Sequence, residues 1–340
     1  MIRTVCVSLL LLAFGSLKLS AADRPIKVFI LAGQSNMEGK GKVSLLEYQI
    51  AQPETRDLFA HWQKDGKWIE RSDVRIKFLD RAGPLTIGYG SPKCIGPEIE
   101  FGTVVGNHYE EPVLLIKTAW GGRSLYRDFR SPSAGLPKDE VLQKMLTEMQ
   151  KKKPEATLDD VKTPFGAAYR DMLKEVRETL ADLKNQFPGA TDLKYELCGL
   201  AWFQGWNDMI NADYTAEYTV NLQHFIRDVR KDLDKPNLPF VIGQMGVDGE
   251  KATGNVQKFK EAQAAVLDAA EFKGNVALVK TDVFWDTAAE AVYKKGWRDN
   301  IDEWNKVGSD YPFHYLGSCR TMKDIGGALA KSMIELQPKK

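Results

Sequence analysis

Several features are scarce in this sequence, and each scarcity removes a class of function. Four cysteines in 340 residues, with no Cys-x-x-Cys, leave no metal or redox spacing. Cys6 falls in the N-terminal apolar stretch, so Cys94, Cys198 and Cys319 remain, an odd count that excludes a fully paired intramolecular framework. One disulfide with a free thiol and a set of buried thiols both stay open. Net charge is almost absent. With 47 Lys+Arg against 46 Asp+Glu, the formal charge of +1 carries no electrostatic footprint for nucleic acid or an acidic membrane. The four histidines show no His-Glu-x-x-His or facial-triad spacing, so neither a metal nor a cofactor is called for. There is no Asn-x-Ser/Thr sequon. Beyond residue 22, no apolar run approaches the ~20 residues that a bilayer span requires.

The N-terminus reads as a targeting segment. Arg3 is followed by a mostly apolar run over residues 5–17, and Ser20, Ala21 and Ala22 place small residues before Asp23. This pattern predicts a signal peptide over 1–22 and a secreted or periplasmic protein. The rest, 43% hydrophobic and 27% charged overall, has ordinary globular composition.

Short apolar runs at 27–32, 113–119, 197–203, 240–245 and 276–279 alternate with amphipathic segments. Met172, Val176, Leu180, Leu183 and Phe187 follow helical spacing up to Pro188-Gly189, as do Tyr218, Leu222, Phe225 and Val229, and Met322, Ile325, Leu329 and Met333. The alternation predicts an α/β fold: a three-layer α/β/α sandwich with a mostly parallel central sheet. Residues 23–340 are expected to form one domain with irregular insertions at 41–95 and 130–164. The first should hold an edge strand over 74–79, the second a surface helix over 138–153. Loops at the carboxyl ends of the strands would carry the chemistry.

Four such loops contain suitable residues. Gly33-Gln34-Ser35-Asn36-Met37 follows the first strand and presents a serine at a glycine-bounded turn. Met37 breaks the Gly-x-Ser-x-Gly elbow of α/β-hydrolases, and Gly41 after Lys40 breaks a P-loop. Trp120-Gly121-Gly122-Arg123 and Gln204-Gly205-Trp206-Asn207-Asp208 follow two more strands. Asp310-Tyr311-Pro312-Phe313-His314 precedes the last helix.

This set resembles the SGNH (GDSL-like) hydrolase superfamily and, within it, the sialate O-acetylesterase-type domain of carbohydrate esterase family six. Gly33 to Met37 match the first block, Gly121-Gly122 the second, Trp202-Phe203-Gln204-Gly205 with Asp208 the third, and His314-Tyr-Leu-Gly the last. Two positions depart from the pattern. Trp206 stands where the third block usually has Glu and Asn207 follows it, giving the wider superfamily's Gly-x-Asn-Asp, and Asp310 stands one residue too early for Asp-x-x-His.

The resemblance implies a flavodoxin-like SGNH fold and a serine esterase acting on acetylated carbohydrate. Ser35 would be the nucleophile, His314 the base and Asp310 the acid, with Asp282 and Glu303 as rivals for the last role. The oxyanion hole would draw on the Ser35 N–H, Gly121 or Gly122, and the side chain of Asn207 or Gln204. Gln34, Asn36, Arg123 and Trp206 are expected to touch substrate. Trp120, Tyr126, Phe129, Phe313 and Tyr315 are further rings beside these loops that could stack on sugars. A lipase or thioesterase of the same superfamily, and a non-catalytic carbohydrate-binding protein, are the competing readings. The charged 130–164 segment argues against the lid of a lipase, and the presence of Ser35 and His314 against loss of catalysis.

Overall fold

A computed structural model describes residues 24–189, 191 and 193–338. The expected signal peptide therefore lies outside the described residues. Seven strands form the central sheet: β1 (Ile26–Gly33), β2 (Arg71–Phe78), β3 (Arg81–Leu85), β4 (Val113–Ala119), β5 (Tyr195–Phe203), β6 (Phe240–Gln244) and β7 (Val276–Lys280). Their spatial order is β7-β6-β5-β1-β4-β2-β3, with every neighbouring pair parallel except β2 and β3. The α/β sandwich expected from the alternation is the observed architecture. The edge differs from expectation. The strand foreseen over 74–79 is an inner one, and the antiparallel hairpin partner β3 takes the edge. Arg81, Gly83 and Pro84 hid β3, because such residues read as turn; Pro84 is tolerated there because an edge strand leaves one row of donors unpaired.

Helices cover both faces. On one side, α2 (Glu98–His108) and the C-terminal α10 (Cys319–Glu335) pack on the sheet, with Phe101 edge-on to Phe29 of β1 at 5.7 Å. On the other lie α4 (Ala167–Ala181), α6 (Ala212–Asp232) and α7 (Gly254–Ala264). There Phe225 of α6 meets Trp202 of β5 at 4.5 Å, and Tyr218 meets Phe259 of α7 at 4.4 Å. Strands buried on both faces need apolar side chains at nearly every position, and β1 and β4 are buried throughout. The surface helix expected in the second insertion is α3 (Asp139–Gln150).

Cys94, Cys198 and Cys319 are free and buried, which settles the open alternative for the described residues. Burial pushes the Cys198 thiol up to about 12 and raises the other two, which disfavours the thiolate at each. Among the described residues, no helix is long and apolar enough to cross a membrane.

The chain runs from β1 to β4 on one side and then to β5 on the other, so the strand order reverses around β1. Crevices at such switch points, outside the carboxyl ends of the strands, are where α/β sheets bind ligands. Register sharpens the placement. Gly33 lies opposite Ala119 of β4 and Phe203 of β5, so the loops that follow all three strands leave the sheet at one height.

Candidate active site

The turn that bears Ser35 is dictated by its first residue. Gly33 has φ +154°, and a β-carbon there would sit 2.2 Å from the Phe203 carbonyl oxygen; only glycine fits between the strands at this point. Gln34 N–H donates to that same carbonyl and Trp120 N–H to Gly33 O, extending the sheet pairing one residue past the strands. Ser35 then opens the one-turn helix α1 (Ser35–Glu38), where first-turn N–H groups have no partner within the helix. Ser35 is 5% exposed, and Gly121 packs so close that a β-carbon on it would lie 3.8 Å from Ser35 Cβ. The N–H groups of Gly121 and Gly122 donate to no group among the described residues.

The buried Gln34 side chain joins the turn to the third loop. Its Oε1 accepts from Gly205 N–H at 3.0 Å, and its Nε2 donates to Asn207 Oδ1 at 3.1 Å. Asn207 Nδ2 in turn donates to Gly122 O at 2.9 Å, and its side chain is only half-buried. Gln204 is placed differently. Its Nε2 donates to Arg123 O at 3.0 Å and to Asp208 Oδ2 at 2.6 Å, so both amide hydrogens are engaged in the interior.

Asp208 is fully buried and accepts from Leu125 N–H, Tyr126 N–H and Gln204, pinning the loop after Gly122. Burial pushes its carboxyl up to about 7, against the Gln204 amide and the Tyr126 and Leu125 N–H groups, which hold it down. Arg123 pairs with Asp128 at 3.3 Å rather than standing free.

The histidine arrives on the loop that precedes α10. Asp310 Oδ1 lies 3.1 Å from His314 Nδ1, within ion-pair range, although the contact is too oblique for a well-aligned hydrogen bond. Burial raises the Asp310 carboxyl, but His314, the Tyr311 N–H and Lys40 outweigh it and leave the group below its ordinary value. The backbone just beyond His314 is irregular. Pro312 to Gly317 form an irregular 3-10 turn, with Tyr315 and Leu316 at φ +52° and +60°. Such left-handed positions are costly for bulky residues and persist only where the surroundings over-determine them. Here the fully buried Tyr315 hydroxyl accepts from Gly246 N–H and lies 2.7 Å from Thr281 Oγ1, while Leu316 N–H donates to Tyr311 O. Asn36 Nδ2 donates to Phe313 O at 3.1 Å, tying the histidine loop to the turn that bears Ser35.

The structure thus brings Ser35, Gly121, Gly122, Asn207, His314 and Asp310 to one edge. It sends the rival carboxylates elsewhere: Asp282 to Lys260 and Glu303 to Lys295. Of the rings expected at the site, Trp120, Trp206 and Phe313 are partly exposed. Tyr126, Phe129 and Tyr315 belong to the interior and cannot stack on a substrate.

Two participants escaped the sequence reading. Glu38 at the end of α1 reaches beside Gly121, accepting from Ser91 Oγ at 2.5 Å with Lys40 Nζ 3.4 Å away. Lys117, fully buried in β4, donates to Glu38 O, Tyr89 O and Glu98 Oε2, each at 2.8 Å. It holds the C-terminal end of the turn that bears Ser35, and burial lowers its pKa despite the Glu98 charge. A lysine interrupting the apolar run VLLIKTA was the available signal. No such signal marked Glu38.

Comparison with known proteins identifies a family. The sequence model of the family described as "Carbohydrate esterase, sialic acid-specific acetylesterase" matches residues 25–288, which include Ser35, Gly121, Gly122 and Asn207. Asp310 and His314 lie beyond the match. A probable carbohydrate esterase of Arabidopsis thaliana is 22% identical over 244 residues, covering 70% of this chain and 75% of its own. The X-ray structure of that plant protein shares the fold, with a TM-score of 0.52 at 18% identity over 92% of this chain and 98% of the other. A carbohydrate acetylesterase from Xanthomonas citri gives a TM-score of 0.50 at 13% identity, over 90% of this chain and 55% of its own.

Proposed function

The chain belongs to the carbohydrate esterase family of sialic acid-specific acetylesterases, and from that premise we propose that it is a serine esterase removing O-acetyl groups from carbohydrate through an acyl-enzyme on Ser35. The observation that carries the reading is the Asp310–His314 pair at 3.1 Å, on a loop bonded through Asn36 to the turn bearing Ser35.

In this mechanism Ser35 Oγ attacks the acetyl carbonyl carbon while His314 takes the hydroxyl proton. The tetrahedral oxyanion is met by the N–H groups of Ser35 and of Gly121 or Gly122 and by the Asn207 amide. Asn207 takes this role rather than Gln204, because Gln204 has no amide hydrogen to spare. Collapse of the intermediate expels the sugar alkoxide, which leaves with the proton from His314. Water then attacks the acetyl-enzyme with His314 again as base, releasing acetate. Asp310 holds the imidazole tautomer and stabilises the imidazolium. Gln34, Asn36 and Lys117 hold the two loops in place rather than touching the ester. Glu38 beside Gly121 narrows the approach to Ser35. Secretion, expected from residues 1–22, remains part of the proposal and would expose the enzyme to polymeric or cell-surface carbohydrate.

Ser35→Ala tests the core of the reading. The variant should fold normally and lose nearly all hydrolysis of p-nitrophenyl acetate, because only binding and the oxyanion donors remain. Retention of more than about a tenth of the wild-type kcat would sink it.

A further inference from the structure

A row of aromatic rings leads away from His314. Trp206 tilts against Phe313 at 5.4 Å between centroids, Phe313 stacks on Tyr311 at 5.3 Å with planes 8° apart, and Tyr311 meets Trp297 edge-on at 6.3 Å. Buried rings would need no comment, but these are partly exposed, Tyr311 at 42%. The row ends at a cavity of about 310 Å³ whose wall includes Asp310 itself, together with Trp297, Trp304, Ile301, Asn305 and Lys42. Ile301 is 45% exposed, and Lys42 lines the cavity from an exposed position. Apolar and aromatic walls with a few well-placed polar groups are the usual make-up of a small-molecule pocket, and the volume falls at the small end of the roughly 300–1,000 Å³ range. Ring faces suit the C–H faces of a sugar, and an amide and an ammonium suit its hydroxyls.

Most of this wall comes from residues 293–311, carried on α8 (Thr287–Lys294), α9 (Ile301–Val307) and the turns around them, beyond the residues that match the family. The geometry points to a glycan subsite here, holding a sugar unit next to the acetylated one. The substrate is then an acetylated polysaccharide chain rather than a free acetylated monosaccharide. This deepens, and rests on, the acetylesterase reading above.

The test compares kcat/KM on acetylated xylose and on acetylated xylo-oligosaccharides of increasing length, with acetylated galacturonan fragments as a parallel series. Wild-type enzyme should gain at least about tenfold with length on one series or the other, mainly through KM. Trp297→Ala, shown folded by circular dichroism, should remove most of that gain, and Trp297→Phe, which keeps a ring face, should retain it. No gain with length on either series, or a full gain in Trp297→Ala, overturns the subsite. A second readout separates this from failure of the chemistry: titration of the Ser35→Ala protein with deacetylated fragments, followed by tryptophan fluorescence. Binding that needs Trp297, together with a wild-type enzyme that cleaves no ester, would leave the subsite standing and the esterase reading refuted. Hydrolysis without such binding would do the reverse.

Discussion

The two sides of the site are built by different means. On the Ser35 side, position follows from the sheet. Gly33 is in register with Ala119 and Phe203, so Ser35, Gly121 and Gln204 emerge together, and the buried Gln34 side chain links the first loop to the third. On the histidine side, residues 310–317 belong to no strand. Their shape is imposed by two consecutive non-glycine residues in left-handed conformation, by the Tyr315 hydroxyl seated against Gly246 and Thr281, and by one bond from Asn36. A register-built loop tolerates sequence change as long as the strands pair. A plug-built loop depends on a few buried contacts. The difference fits the extent of the family match, which takes in the first side and ends before the second.

The comparison is tested most severely on the plug-built side. Asp310→Asn keeps the shape while removing the charge beside His314, and kcat should fall by a hundredfold or more; loss of the equivalent carboxylate in serine proteases costs up to about 10⁴. Near-normal turnover would leave a Ser35–His314 dyad, because Asp282 and Glu303 are held by Lys260 and Lys295. On the register-built side, Asn207→Ala should lower kcat on p-nitrophenyl acetate by roughly a hundredfold with little change in KM, as expected for a donor used only in the transition state. If Gln204→Ala does this and Asn207→Ala does not, the oxyanion assignment moves to Gln204. The Gln204 amide would then have to leave Asp208 or Arg123 during turnover.

The same contrast explains what was legible in the sequence. Strand and helix periodicity located the sheet, and glycine-bounded turns after apolar runs located three of the four loops. β3 was missed because its edge position tolerates residues that read as turn. The Asp310–His314 contact sat at the wrong spacing for the motif, and nothing local announces that Tyr315 and Leu316 adopt positive φ. That conformation is fixed by partners 34 and 69 residues away in the chain, Thr281 and Gly246. The rings were misjudged for a related reason. Proximity to a motif says nothing of facing, and Tyr126, Phe129 and Tyr315 face inward. Lys117 acts through an ion pair with Glu98, 19 residues distant, which a pattern of single residues does not contain.

The smallest effect on turnover, and the finest separation of the two sides, concerns how each carboxyl couples pH to stability. Asp208 is pushed up to about 7 by burial, from an ordinary unfolded value near ~3.9. Between about pH 4 and 7 the folded chain therefore holds a proton that the unfolded chain has released. The Asp208 contribution to stability falls as pH rises through that window and is level above it. Asp310 has the opposite sign. Its carboxyl is lowered on folding, so its contribution is present above the unfolded value and is lost as pH falls through the folded one. Urea denaturation of the wild type, Asp208→Asn and Asp310→Asn from pH 3 to 8 measures both. Subtracting the Asp208→Asn curve from the wild-type curve should leave a difference that declines from about pH 4 to 7. Subtracting Asp310→Asn should leave one that rises below about pH 4 and then flattens. A difference for Asp208→Asn that instead rises with pH below about 4 and then flattens would mean that its three N–H donors keep the carboxylate charged in the folded chain. The buried acid behind Gln204 would then be a fixed part of the scaffold, like the register that places it, and the two sides of the site would respond to acid in the same direction.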